Sequence, residues 1–118
     1  MANDLARLAD EAYCYLTTTG RVSGEPRQIE IWFGLDGSTL YVLSGGRDRS
    51  DWVRNLMSDS DVKVRIGESS FDGRGRIVTS AEEDARARRL VLEKYTASYS
   101  GDLAEWGRSA LPVAVDLR

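Results

Sequence analysis

The chain has 118 residues and a net charge of −3, and 42% of its residues are hydrophobic. That length suits one domain, and that hydrophobic fraction is normal for a soluble globular core. The acidic balance disfavours duplex nucleic acid as a partner, and no apolar run approaches the roughly 18 residues that span a bilayer.

Histidine is absent from the sequence, and Cys14 is the only cysteine. The lack of histidine excludes Ser-His-Asp and Cys-His nucleophile systems and the common zinc sites, so no metal site is expected. A lone cysteine cannot form an internal disulfide, and with no apolar leader at the start we expect a cytoplasmic protein. Such a chain either binds a ligand without chemistry or takes its chemistry from an organic cofactor.

The first part of the chain predicts one helix followed by strands that are joined by tight turns. Residues 3–12 place apolar side chains at helical spacing behind Asn3, which predicts an N-terminal helix over 1–12. Residues 13–19 are rich in β-forming side chains, and residues 27–35 alternate strictly in polarity. One face of this second strand would carry Ile29, Ile31 and Phe33, and the other would carry Gln28, Glu30 and Trp32.

A Leu-Asp-Gly-Ser turn leads to a returning strand over 39–44, and the pattern then becomes helical. Ser50 or Asp51 can cap this short helix, and its buried side would carry Trp52, Val53 and Leu56.

Two further strands, over 62–66 and 71–78, form another predicted hairpin. Gly73 and Gly75 fall on one face of the second of these strands, which indicates a bulge or a close approach by another part of the chain.

The last part of the chain predicts a long helix and a final strand. Residues 81–96 follow a Ser or Thr cap and carry acidic residues in their first turn, as helices favour. A loose segment containing Trp106 leads to a short buried strand over 111–117. The predicted apolar stripe of the long helix consists of Ala85, Val91, Leu92 and Tyr95.

Six strands with consecutive hairpins predict an α+β fold: a mainly antiparallel, six-stranded split β-barrel with peripheral helices. A closed or split barrel is favoured because it leaves few exposed sheet edges. We expect a single cofactor-binding domain over 1–118, in which 1–12 form the N-terminal helix and 13–118 the barrel and its helices.

The segment from Thr17 to Arg27 contains more turn chemistry than a hairpin needs. Gly20 and Gly24 allow close backbone approach, and Arg21 supplies a fixed charge beside several hydroxyl groups. Together these features favour an anionic ligand, because successive backbone amides in a turn can form an anion nest. A solvated hairpin loop remains the alternative.

A second glycine loop, Ser44-Gly45-Gly46, passes through Arg47 and Arg49 into the start of the short helix. Helix N-termini attract anions through their unpaired amides and the helix dipole. Trp52 and Asn55 in that helix suit either ligand contact or ordinary packing and capping.

The motifs "LTTTGRVSGEPR" and "SGG…DWVRNL", followed by a hairpin and "RSALPVAVDL", resemble the deazaflavin-dependent nitroreductase family. That family lies within the FMN-binding split-barrel, or pyridoxamine phosphate oxidase-like, superfamily, whose members bind flavins or the deazaflavin coenzyme F420. The resemblance runs from about Tyr15 to Leu117, with the elements in the same order.

In relatives the two glycine loops hold the phosphate and tail of the cofactor, and the short helix flanks the same groove. Some relatives have lysine at the position of Val22, so anion binding here would depend on arginines. By position, the resemblance implies a cofactor site of Thr18, Arg21, Ser23, Gly24, Pro26, Arg27, Ser44, Gly45, Gly46, Arg47, Trp52 and Asn55. Strand alternation adds Trp32, because the ring would lie near the face with Gln28 and Glu30.

The resemblance implies an oxidoreductase that transfers a hydride from reduced F420 to a small electrophilic acceptor, such as an enone, a quinone or a nitro compound. Tyr95 and Tyr99 match substrate-side aromatic positions and are the candidate catalytic residues, with water or the cofactor as other proton sources. Core packing is the alternative role for Tyr95.

Other functions remain open at this point: an FMN-binding reductase of the same fold, a non-catalytic cofactor carrier, or a plain interaction domain. No integral membrane association is expected. A homodimer could bury the sheet face that carries Glu30 and Trp32.

Overall fold

The computed structural model describes residues 5, 7–97, 101 and 103–118. The strands are β1 (Cys14–Thr19), β2 (Pro26–Ile31), β3 (Gly34–Asp36), β4 (Thr39–Ser44), β5 (Asp61–Ile66), β6 (Ser69–Ile77) and β7 (Leu111–Leu117). The helices are α1 (Asp51–Ser58), α2 (Ala81–Thr96) and α3 (Ala104–Ser109), with a 3₁₀ turn over Arg47–Arg49. Within the described part of the chain, no helix combines the length and apolar character needed to cross a membrane.

The strands form one antiparallel sheet in the order β2-β1-β5-β6-β7-β4-β3. The two edge strands, β2 and β3, are neighbours in the chain, yet they are not hydrogen-bonded to each other. The sheet therefore curls back on itself as a half-barrel that stays open between β2 and β3. The prediction of a mainly antiparallel split-barrel fold is confirmed.

The predicted strand over 27–35 is wrong in one respect, because it breaks at Trp32 and Phe33 and so gives seven strands rather than six. The backbone of Phe33 bonds to helix α2 instead of a neighbouring strand. Its N–H donates to the Tyr95 hydroxyl at 3.0 Å, and its carbonyl accepts from Lys94 Nζ at 3.1 Å. Trp32 and Phe33 still lie in opposite core clusters, as the alternation predicts, and Trp32 stacks on the Tyr95 ring at 4.2 Å between ring centroids.

The core has two parts, one inside the curled sheet and one between the sheet and helices α2 and α3. The inner cluster includes Leu16, Phe33, Leu56 and Val64, and the outer cluster includes Tyr41, Ala87, Val91 and Tyr95. The buried stripe of α2 is therefore Ala87, Val91 and Tyr95, whereas the predicted stripe residue Ala85 is exposed.

Gly73 and Gly75 share the inward face of β6, as their spacing predicts. A Cβ atom on Gly75 would lie 2.5 Å from Leu56 Cγ, and one on Gly73 would lie 2.6 Å from Val115 Cγ1. The close approach is therefore made by side chains, and it lets helix α1 pack directly onto β6.

Helix α2 begins and ends where the sequence predicts, and Ser80 caps it by accepting from the Glu83 backbone amide. At the N-terminus the helical residues among those described are 5, 7 and 8, with turns and bends over 9–12, so the predicted helix ends earlier than residue 12. The predicted cap Asn3 lies outside the described residues. The segment predicted to be loose around Trp106 forms helix α3.

Candidate functional site

The loop between β1 and β2 folds back on itself through its glycines. The Gly20 amide donates to the Glu25 carbonyl at 2.8 Å, and the Gly24 amide donates to the Gly20 carbonyl at 2.8 Å. Gly24 has a φ of 74°, a left-handed conformation that favours glycine. A Cβ on Gly20 would lie 2.7 Å from Ser23 Oγ, so a larger residue there would displace this hydroxyl. Residues 20–25 are called the glycine loop below.

The glycine loop is held against helix α1 by Arg21 and Asn55. Asn55 Oδ1 accepts from the Arg21 backbone amide at 3.1 Å and from Arg21 Nη1 at 2.8 Å. Arg21 Nη2 also pairs with Asp51 Oδ1 at 3.1 Å. Asn55 is only 5% exposed, and its Nδ2 donates to the buried Thr18 Oγ1 at 3.4 Å. Helix α1, the loop and strand β1 are thus joined by one polar network.

Arg27 is the second cation of the loop region. Its Nη2 donates to Ser23 Oγ at 3.3 Å, and Ser23 Oγ also accepts from the Glu25 amide at 3.2 Å. The Arg27 guanidinium lies close to Gly20, whose added Cβ would be 3.5 Å from Arg27 Nε. A Cβ at that distance would make only an ordinary contact with Arg27, so the close approach that requires glycine at position 20 is the one to Ser23 Oγ and the Glu25 carbonyl.

These residues surround an open groove of about 440 Å³ between the glycine loop, β2 and α1. Its lining combines polar and cationic residues with the apolar residues Val22, Ile29 and Trp52. The lining consists of Gly20, Arg21, Val22, Ser23, Arg27, Ile29, Asp51, Trp52 and Asn55. We call it the glycine-loop groove. It brings together Arg21, Ser23, Arg27, Trp52 and Asn55, which are five of the residues expected from the sequence.

The second glycine loop is hydrogen-bonded within the protein at Ser44 and Arg47, while its residues 45–47 are exposed. Ser44 is buried, and its hydroxyl donates to the Arg47 carbonyl at 2.9 Å and bonds with Ser50 Oγ at 2.9 Å. Arg47 has a φ of 56° and donates from Nη1 to the Ser109 carbonyl of helix α3. Gly45 and Gly46 lie beside Trp106 and Ser50 respectively. This loop meets the N-terminus of α1, but Ser44, Gly45, Gly46 and Arg47 lie outside the lining of the groove.

The strand face expected to meet the cofactor ring points away from the groove. Gln28 pairs with Thr17 and lies with Lys63 and Asp72 on the outer face of the sheet. Glu30 accepts a hydrogen bond from the Tyr15 hydroxyl on the same outer face. The alternation instead turns Ile29 toward the groove, and Trp32 lies in the outer core cluster.

Thr18, Gly24 and Pro26 border the groove without lining it. Thr18 is buried and acts through Asn55, and Gly24 forms the loop turn. Pro26 starts β2 opposite Thr19 and lines a separate depression on the outer sheet face.

Of the two candidate tyrosines, the structure describes only Tyr95. Tyr95 is 5% exposed; its hydroxyl donates to the Ala12 carbonyl at 2.7 Å and accepts from the Phe33 amide. Burial raises the pKa of Tyr95 to about 12. These contacts match the packing role that the sequence left open for Tyr95. Tyr99 lies outside the described residues.

Asp51 and Ile29 also line the groove, although the sequence suggested only a helix cap for Asp51 and only a strand face for Ile29. The signal for Ile29 was available, because strand alternation places it on the same face as Arg27. No local signal marked Asp51, since its contact with Arg21 joins residues thirty positions apart.

The groove is chemically suited to an anion with an attached apolar group. Two guanidinium groups and a hydroxyl supply fixed donors, and charge-assisted hydrogen bonds are the strong ones. Among the residues that the structure describes, no group of three or more His, Cys, Asp or Glu side chains is placed to hold a metal ion.

Known proteins resemble this chain in both sequence and fold. Residues 4–118 match the family described as F420H(2)-dependent quinone reductase. An F420H(2)-dependent quinone reductase of Mycobacterium tuberculosis strain H37Rv is 29% identical over 104 residues, covering 85% of this chain and 69% of the relative.

Among solved structures, an F420-H2 dependent reductase has a TM-score of 0.71 and 21% identity, covering 91% of this chain and 94% of that one. A conserved hypothetical protein from Mycobacterium tuberculosis has a TM-score of 0.74 and 21% identity, covering 98% of this chain and 78% of that one. At these identities the two structures support the fold.

Proposed function

This chain belongs to the F420H(2)-dependent quinone reductase family, and on that basis we propose that its glycine-loop groove holds the anionic part of coenzyme F420. Membership of the family makes the protein an F420-dependent oxidoreductase. The proposal concerns which residues do the binding and which acceptor is reduced.

The observation that carries the proposal is the fixed position of Arg21. Asn55 holds both the backbone amide and the guanidinium of Arg21, so this cation is oriented before any ligand arrives. A pre-oriented group loses little conformational entropy on binding, which favours affinity. Arg27 and Ser23 lie beside it and supply a second charge and a hydroxyl. This donor set suits a phosphodiester group.

The apolar residues of the lining suit the ring end of the same ligand. Trp52 is half-buried and packs on the inner core, and Ile29 continues the apolar surface along β2. A flat ring against these side chains would be shielded from water on one face. When bound, reduced F420 supplies a hydride for the acceptor, and the protein contributes binding, orientation and water exclusion.

We propose a quinone as the acceptor, because the family and the curated relative both carry quinone reductase in their names. An enone or a nitro compound is the alternative acceptor, because each is also an electrophile that can take up a hydride. The proposal takes water as the source of the following proton, since the Tyr95 hydroxyl already donates to the Ala12 carbonyl.

Binding and turnover test the proposal separately. F420 and FMN are each titrated into the protein, with tryptophan fluorescence and calorimetry as the two readouts. F420 should bind more tightly than FMN, and the reverse order would replace F420 by FMN in the proposal.

Turnover is followed by loss of reduced F420 with a panel of quinones, enones and nitro compounds. Faster oxidation with quinones supports the proposed acceptor, and a preference for another class would reassign it. Binding without any oxidation above background would indicate a carrier.

A further inference from the structure

The lining of the glycine-loop groove contains one acidic residue, Asp51. Its carboxylate is 3.1 Å from Arg21 Nη2, and its side chain is 86% exposed at the first position of helix α1. Arg21 and Arg27 are the cations of the groove lining, so Asp51 leaves that lining with a net charge of plus one. An anion that enters the groove meets a carboxylate as well as two guanidinium groups.

The carboxylate of Asp51 is not required to hold Arg21 in place. Asn55 Oδ1 accepts from Arg21 at two points, and the Asp51 backbone carbonyl accepts from Arg21 Nη1 at 3.4 Å. These three contacts remain when the side chain at position 51 loses its charge. The charge of Asp51 can therefore be separated from the positioning of Arg21.

We propose that Asp51 is a specificity-determining residue, whose carboxylate limits the negative charge that the groove accepts. With it, the lining carries a net charge of plus one, which balances one singly charged phosphodiester group. Without it, the same groove would attract anions more strongly and less selectively. This inference rests on the proposed function, because it assumes that the glycine-loop groove is where F420 binds.

The test uses Asp51→Asn in the full chain, with two probes. One probe is F420, and the other is the same deazaflavin without its phosphate and glutamates, which is neutral in that region. Dissociation constants are measured by tryptophan quenching at low and at physiological salt. Asp51→Asn should tighten F420 binding roughly two- to fivefold, the range of an exposed charge pair. The gain in affinity for F420 should shrink as the salt concentration rises, and the affinity for the neutral probe should stay the same.

Two control variants accompany Asp51→Asn. Asp51→Glu keeps the charge and should keep the wild-type affinity for F420. Asp72→Asn removes another exposed aspartate, which pairs with Lys63 on the outer sheet face, and it should leave F420 binding unchanged. Thermal unfolding of each variant shows whether α1 remains folded, because Asp51 also lies in the favourable first turn of that helix.

Three results would overturn the inference. They are an unchanged F420 affinity in Asp51→Asn, an equal gain for both probes, and an equal gain in Asp72→Asn. Wild-type protein that binds no F420 would instead contradict the proposed function, so the two failures are distinguishable.

Discussion

Asn55 Oδ1 accepts hydrogen bonds from both the backbone amide and the guanidinium of Arg21, at 3.1 and 2.8 Å. A single buried amide thereby fixes the conformation of a loop and the direction of its charge. The same side chain donates to Thr18, so the strand that enters the loop is fixed as well.

Asn55→Ala should destabilise the fold and weaken F420 binding together. The Arg21 amide and the Thr18 hydroxyl lose a partner in a buried region, which costs about 1–3 kcal/mol. Urea unfolding measures the first effect and fluorescence titration the second. Met57→Ala, at an exposed position of the same helix, serves as the control. Normal F420 affinity in a destabilised Asn55→Ala protein would show that Asn55 is only structural.

Arg21→Ala and Arg27→Ala should each weaken F420 binding by about 1.5–3 kcal/mol while leaving the fold intact, because charge-assisted hydrogen bonds are lost. The matched control is Arg65→Ala, which removes an exposed arginine that stacks on Tyr15 at the outer sheet face. Calorimetric titration with F420 gives the dissociation constant of each of the three variants, and only the two loop variants should bind more weakly than wild type. If both loop variants bind as wild type does, the glycine loop is an ordinary solvated hairpin and the cofactor lies elsewhere.

Gly75→Ala should lower the free energy of unfolding by about 1–3 kcal/mol, the usual cost of overpacking a core. The added methyl would lie within 2.5 Å of Leu56 Cγ, so helix α1 would have to move off β6. Ser70→Ala, at an exposed position of the same strand, is expected to stay within about 0.5 kcal/mol of wild type. Combining Gly75→Ala with Leu56→Ala should cost less than the sum of the two, and strict additivity would contradict the crowding.

Glu83 is expected to make the free energy of unfolding depend on pH in the acidic range. Arg76 donates to the two carboxylate oxygens of Glu83 at 2.6 and 2.7 Å, and the Tyr41 hydroxyl donates to the same carboxylate at 2.6 Å. These hydrogen bonds, those from Arg76 first, lower the pKa of Glu83 to about 2. Between the ordinary value of 4.5 and about 2, the unfolded chain binds a proton that the folded chain does not. The stabilisation is therefore present above pH 4.5 and is lost as the pH falls through about 2.

Denaturant unfolding of Glu83→Gln across this pH range should show a smaller loss of stability at low pH than wild type shows. Glu82→Gln, an exposed acid in the same helical turn, is the control and should keep the wild-type slope. Equal slopes in wild type and Glu83→Gln would mean that the Arg76 pair contributes nothing to folding.

Part of this structure is predictable because its causes are local. Helix α2 follows from the cap at Ser80 and the acids that come after it, and β7 follows from a short run of apolar residues. The break at Trp32 has no local cause, because it depends on Tyr95 and Lys94, which lie more than sixty positions away. The direction of Arg47 likewise depends on Ser109 in a different helix.

The sequence by itself determined the antiparallel split-barrel class, the glycine loop with its arginines and the family of the chain. The fold class and the loop depend on residue type, spacing and periodicity, which are properties of short segments, and the family follows from the resemblance of the sequence motifs. Only the tertiary structure decided that the two glycine loops have different surroundings and which face of β2 borders the groove. It also decided that Asp51 pairs with Arg21, since helix α1 must first pack onto β6 at Gly75 before Asp51 and Asn55 can reach the loop.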